Sequence, residues 1–224
     1  MTITPFLIVF DVNETLSDIS SLAEAFSRAG LAADLTRPWF AELLRDGFAL
    51  ASAGDNADFV DLATDALHRM LTQASVPGDH DTLVEDIMDV FKSLPLHADA
   101  TPGISALSRI ADLVTLSNGA ASVAESLATR GGVQDEFVAF LSVQDAPRWK
   151  PAREAYDYAA TRTGHTVDEL LLVAVHPWDI HGAHAAGLRT AWINRTGATY
   201  PSYFTAPDIE AEDLVALADA LTSP

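Results

Sequence analysis

The sequence predicts an α/β protein: a parallel sheet core flanked by helices, with an α-helical domain inserted after the first strand. Three observations carry this. Phe6 to Phe10 is a continuous apolar run, as expected of a strand buried on both faces. From Pro102 onward, strand-like apolar runs alternate with amphipathic stretches, the pattern that builds a parallel sheet with helices on both sides. Between these regions only helical periodicity is present. The expected division is a core of residues 1–16 and 98–224 around a helical domain of residues 17–97.

Each element follows from local pattern. Asp18 to Gly30 reads as a helix with Leu22, Ala25, Phe26 and Ala29 on one side and Gly30 as its stop. Thr36-Arg37-Pro38 opens a second helix, with proline in its first turn. Its apolar face carries Phe40, Leu44 and Phe48, flanked by Trp39, Leu43 and Leu50, wide enough to meet more than one neighbour. Gly54-Asp55-Asn56 and Pro77-Gly78-Asp79 break the chain before two further amphipathic helices, one from Phe59 to Leu71 and one from Leu83 to Phe91. In the second half, helices are expected over 104–110, 120–130, 151–164, 180–186 and 209–221. Strands are expected over 113–116, 137–141, 170–175 and, as the last, 190–193.

The chain has 224 residues, about half of them apolar, and a formal net charge of −19. That charge favours solubility and argues against a nucleic-acid or anionic-membrane partner. An anionic substrate would need cations concentrated at its site. With no cysteine there is no disulfide framework, thiolate metal site or thiol nucleophile. No leader-like segment or membrane-length apolar run is present, so a cytoplasmic, soluble protein is expected.

Asp11 follows the first strand at once, where open α/β sheets bind ligands. On its own it reads equally as a turn aspartate or a functional carboxylate. Two more apolar strands also end in polar residues, Ser117-Asn118 and Asp179, and Lys150 precedes a helix in the same half. A parallel sheet gathers its carboxyl strand ends on one edge. A carboxylate, hydroxyl and amide donors, a lysine and a second carboxylate could thus converge for covalent catalysis by Asp11.

In order, Asp11-Val12-Asn13-Glu14-Thr15-Leu16, Ser117-Asn118-Gly119, Lys150 and Trp178-Asp179 resemble the four motifs of the haloacid dehalogenase superfamily. Ala186-Gly187-Leu188-Arg189-Thr190 and Trp192-Ile193-Asn194-Arg195 are similar to its type II 2-haloacid dehalogenase branch. The resemblance implies a Rossmann-like core with a cap domain and a homodimer. It also implies an aspartate nucleophile that attacks the halogen-bearing carbon of a short 2-haloalkanoic acid. The resulting ester on Asp11 is hydrolysed by water to give the 2-hydroxy acid. In this scheme Lys150 keeps Asp11 ionised and Asp179 holds Lys150. Thr15, Ser117 and Asn118 orient carboxylates or stabilise developing charge. Tyr156 is implied as part of the pocket; its ordinary reading is a helix aromatic.

Phosphatases of the superfamily carry a second aspartate two residues after the nucleophile, to protonate the leaving alkoxide. Here that residue is Asn13, which cannot act as an acid, whereas halide needs no proton. The fourth motif offers a single carboxylate, a poor magnesium site. Both departures imply dehalogenation without metal or cofactor. The alternatives are a hydrolase of another activated bond, a magnesium phosphatase and a non-catalytic binding protein. Type II enzymes place a halide-binding arginine where this chain has Phe40. Arg45, five positions on, lies about 140° round the helix. Phe40 and Leu44 read as substrate-facing residues or as ordinary cap core. His176, at the end of a buried strand, and Glu14 suggest a water-activating pair with a neutral imidazole as base; the plain alternative is a histidine that caps the strand or packs on Trp178. His181 and His184, at i and i+3, read as surface histidines rather than metal ligands.

Overall fold

A computed structural model of the chain describes residues 7–223. Phe6, the first residue of the expected opening strand, lies outside them. Among the described residues, six strands form one sheet in the order β3-β2-β1-β4-β5-β6, every neighbouring pair parallel. They are β1 (Leu7–Phe10), β2 (Asp112–Ser117), β3 (Ala139–Ser142), β4 (Leu170–Ala174), β5 (Arg189–Ile193) and β6 (Ile209–Ala211). The central strand β1 pairs Leu7 with Asp112 on one side and with Leu170 on the other. All four of its residues are fully buried, which accounts for the unbroken apolar run.

Alternate residues of the strands supply opposite faces. Ile8, Phe10, Leu171, Val173, Ala191 and Ile193 share a core with residues of α5 (Ala100–Leu107), α6 (Ala121–Arg130) and α9 (Leu214–Thr222). Two further helices are α7 (Arg153–Thr163) and α8 (Pro177–Ala186), and α8 packs on β4 and β5.

Asp18–Pro95 forms a second compact unit of four helices: α1 (Leu22–Arg28), α2 (Thr36–Ala53), α3 (Phe59–Gln73) and α4 (His80–Lys92). Its interior is aromatic. Trp39 is fully buried, donates from Nε1 to the Ala63 carbonyl at 3.0 Å and packs edge-on against Phe26 and Phe91. The unit is narrower than the expected 17–97. Ser17 and Leu96 pair as an antiparallel bridge, and His97 donates its N–H to the Leu16 carbonyl at 2.9 Å, so these residues belong to the sheet-bearing unit.

Among the elements that differ from expectation are three in the sheet-bearing unit. Residues 209–211 are strand β6, pairing Ile209 with Ala191 and Ala211 with Ile193, and not the start of the last helix. That helix begins at Leu214, with Asp213 as N-cap accepting from Ala216 N at 2.8 Å. Helix α5 starts at Ala100, four residues early, because Pro102 falls in its first turn where no N–H is needed. Helix α8 begins at Pro177, so Trp178 and Asp179 lie in its first turn and not in a loop. No helix of the described residues is long and apolar enough to cross a membrane.

Candidate active site

The carboxyl ends of β1, β2 and β4 bring their polar residues together. Beyond Phe10 the chain folds tightly: Leu16 N and Ser17 N both donate to the Val12 carbonyl, at 2.9 and 3.1 Å. This returns Thr15 to Asp11, so that Thr15 Oγ1 donates to Asp11 Oδ2 at 2.6 Å and accepts from Val175 N at 3.1 Å. Asp11 is 4 % exposed.

Lys150 is fully buried and bridges two carboxylates, with Nζ 2.8 Å from Asp11 Oδ1 and 2.7 Å from Asp179 Oδ2. The other Asp179 oxygen accepts from Tyr156 OH at 2.6 Å. Burial acts to raise the Asp11 carboxyl. The Lys150 ammonium and His176 outweigh it and hold Asp11 well below the usual carboxylate range. Burial acts to lower Lys150, but the charges of Asp11 and Asp179 hold the ammonium above the ordinary lysine value. Burial raises Asp179, with Lys150 opposing and the Asp11 charge adding to the rise. Tyr156 is also fully buried and raised well above a free phenol, first by burial and then by the Asp179 charge. Its hydroxyl therefore stays protonated and donates. The place of Tyr156 is behind Asp179.

Asn118 is joined to Lys150. Its amide nitrogen donates to the Lys150 carbonyl at 3.2 Å, and its oxygen accepts from Lys150 N at 2.9 Å. Both ends thus grip the Lys150 main chain. Ser117 Oγ accepts from Gly119 N at 2.9 Å, leaving its own hydrogen to donate.

His176 N-caps α8 and stacks on Trp178, ring centres 5.0 Å apart. Its Nδ1 lies 3.0 Å from Asp11 Oδ2 and its Nε2 2.9 Å from Glu14 Oε2. A ring with a carboxylate on each nitrogen satisfies both only when doubly protonated. Burial opposes that charge, yet the bonds to Asp11 and Glu14 prevail, and the imidazole is pushed up to about 9. This corrects the expectation of a neutral base: in the resting site His176 is an imidazolium.

Sequence reasoning missed two supports. Glu14 sits at φ 62°, a left-handed conformation uncommon outside glycine. It is held there by Ser17 Oγ, 3.3 Å from its N–H, and by His97 Nε2, which donates to its carbonyl at 3.0 Å. Gly182 in α8 leaves room for the Lys150 loop: a Cβ there would come within 2.5 Å of Pro151 Cβ and 2.8 Å of Tyr156 OH. A glycine inside a helical pattern was the available signal.

Asn13 is 9 % exposed, beside these groups in the β1 loop. Phe40 and Leu44 are buried on α2, and within that unit the Phe40 ring lies 6.3 Å from Trp39 and 6.4 Å from Phe59. Arg45 pairs with Asp46 and Glu42 on its own helix. His184 is exposed, whereas His181, also expected at the surface, is half-buried and bonded to Thr205.

A buried, ionised aspartate at the end of the central strand, held by lysine and backed by a second carboxylate, is an arrangement suited to nucleophilic catalysis by a carboxylate. The chain belongs to the haloacid dehalogenase-like hydrolases, whose family model matches residues 7–187. It is 27 % identical over 204 residues to haloacetate dehalogenase H-2 of Moraxella sp. (strain B), covering 90 % of this chain and 91 % of that one. To the (S)-2-haloacid dehalogenase H-109 of Pseudomonas putida it is 27 % identical over 217 residues, 96 % of each chain. Among solved structures it is similar to the L-2-haloacid dehalogenase of Xanthobacter autotrophicus with chloropropionic acid covalently bound, with a TM-score of 0.86 and 26 % identity over 96 % of this chain and 97 % of that one.

Magnesium, which phosphatases of this superfamily employ, does not fit these donors. The Asp11 oxygens already face an ammonium, a hydroxyl and an imidazolium. Asp179 is taken up by Lys150 and Tyr156, and the fourth motif offers no second carboxylate beside it.

Proposed function

We propose that this chain hydrolyses a short 2-haloalkanoic acid to the 2-hydroxy acid through an ester on Asp11, without a metal. The observation that carries the reading is the state of Asp11: buried, ionised, and anchored at both oxygens by Lys150 and Thr15. A carboxylate so held attacks in line and expels halide, a leaving group that needs no proton. The dehalogenase relatives and the covalent chloropropionic acid of the Xanthobacter enzyme support this choice.

Lys150 keeps Asp11 ionised, Asp179 and Asn118 fix Lys150, and Tyr156 fixes Asp179. Ser117 offers a hydrogen bond to charge developing at Asp11, and Asn13 and Trp178 lie towards the substrate. His176 and Glu14 serve the second step. In-line displacement sends halide away from the attacking oxygen, and His176 bonds to Asp11 itself, so it stands on the wrong side to assist halide departure. It stands where water would approach the ester carbonyl. Phe40 and Leu44 are assigned to substrate recognition, and the inserted unit to the role of a cap. A cytoplasmic homodimer acting on a small halogenated acid, with no nucleic-acid or membrane partner, completes the reading.

Halide release from (S)-2-chloropropionate and from chloro-, bromo- and fluoroacetate, with and without chelator, tests it. Halide is expected in both conditions. Folded protein that frees none, or that frees phosphate from esters only with magnesium, overturns it.

A further inference from the structure

We propose that His176 is a charge-compensating switch: it loses a proton when Asp11 becomes an ester and regains one from water when that ester is hydrolysed. This rests on the reading that Asp11 forms a covalent ester. The geometry is a histidine clamped between two carboxylates, only one of which takes part in the chemistry. Asp11 lies 3.0 Å from Nδ1 and Glu14 2.9 Å from Nε2. Around them stand Lys150 and Asp179 behind Asp11, the Trp178 ring stacked on the imidazole, and His97 on the Glu14 carbonyl. When the Asp11 oxygen bonds to the substrate carbon and the carbon–halogen pair leaves as halide, Asp11 loses its negative charge. Nδ1 then faces an ester oxygen, a weak acceptor, in a site where burial already opposes the imidazolium. Glu14 keeps the Nε2 proton, so the Nδ1 proton is the one released, to water.

The emptied Nδ1 is now a base beside the ester. Water attacks Asp11 Cγ and gives one proton to Nδ1. The tetrahedral intermediate expels the alkoxide, which takes the second proton of that water and leaves as the hydroxyl of the product. Asp11 returns as a carboxylate and His176 as an imidazolium. One proton is freed per halide over the cycle, and it leaves in the halide-releasing step.

The test is stopped-flow in weak buffer with a pH indicator, following the first turnover of wild type and His176→Gln with (S)-2-chloropropionate, against halide and hydroxy acid in quenched samples. At about pH 8, between the resting and esterified midpoints, wild type is expected to release roughly half a proton or more per site in the halide phase. His176→Gln, shown folded by circular dichroism, is expected to release halide once without a proton. Its ester should persist about 10²-fold longer or more, as loss of a general base implies, with the proton emerging alongside hydroxy acid. A proton in step with halide in the variant, or with hydroxy acid in the wild type, overturns the switch. So does a folded variant that never releases halide. Absence of halide from the wild type would instead refute the dehalogenase reading.

Discussion

Replacing Asp11 with asparagine removes the charge of the nucleophile while keeping its shape, and so imitates the neutral ester. In the resting site His176 is raised from 6.5 to about 9, against burial, by its bonds to Asp11 and Glu14. The Asp11 bond is the largest of the raising causes. A hydrogen bond to a charged group contributes about 1.5–3 kcal/mol, and each pH unit corresponds to about 1.4 kcal/mol. Loss of the Asp11 charge should therefore lower the His176 midpoint by about one to two pH units, to roughly 7–8. The assay is an NMR titration of ¹⁵N-histidine-labelled protein, with His176 assigned by the missing signal in His176→Gln. Wild type should titrate near 9 and Asp11→Asn clearly lower. An unmoved midpoint would show that Asp11 does not hold the imidazolium, and the coupling between chemistry and protonation would have no physical basis.

Two further outcomes follow from the same contacts. Because the His176 midpoint is raised on folding, its contribution to stability is complete below the unfolded value of 6.5 and is lost as pH rises through about 9. Urea unfolding should show wild type exceeding His176→Gln by about 3 kcal/mol near pH 6, with the gap closing above the folded midpoint; a gap that does not vary with pH would contradict the charged assignment. Gly182→Ala would drive a Cβ against Pro151 and Tyr156 OH. It should cost about 1–3 kcal/mol of stability and lower kcat by disturbing Asp179 and Lys150; wild-type stability and turnover in this variant would mean that the close approach is not needed.

The sequence made legible those parts of the site that depend on topology. Asp11, Ser117 and the region of Asp179 end apolar runs, and parallel strands must gather such ends on one edge. Lys150 entered through its position before a helix and through resemblance. What was not legible depends on packing. Nothing in the spacing of Asn118 and Lys150 says that an amide will grip the main chain of a residue 32 positions away. Nor does any rule connect His97 to the Glu14 carbonyl across 83 residues. Strand β6 was missed because Ile209-Glu210-Ala211 offers too short an alternation to outweigh the helical pattern after it. The charge of His176 was misjudged for a related reason. Glu14 was recognised as its partner, but Asp11 on the other nitrogen could not be read from sequence, and the second carboxylate decides the protonation state.

That second carboxylate also bears on which ester the site can clear. At rest Asp11, Glu14 and Asp179 face Lys150 and His176: three negative groups against two positive ones, linked in the order Asp179, Lys150, Asp11, His176, Glu14. An alkyl ester on Asp11 removes one negative charge, and release of the His176 proton restores the original balance. A phosphoryl group on Asp11 would act differently, since it brings its own negative charge to the same position. His176 would then keep a strong acceptor on Nδ1, remain protonated and be unavailable as a base. The arrangement is thus matched to a covalent intermediate that is neutral at Asp11. Together with Asn13, which withholds the acid a phosphate ester needs, it sets two successive obstacles to phosphatase chemistry. Asn13 opposes formation of the aspartyl phosphate, and the clamped histidine opposes its hydrolysis.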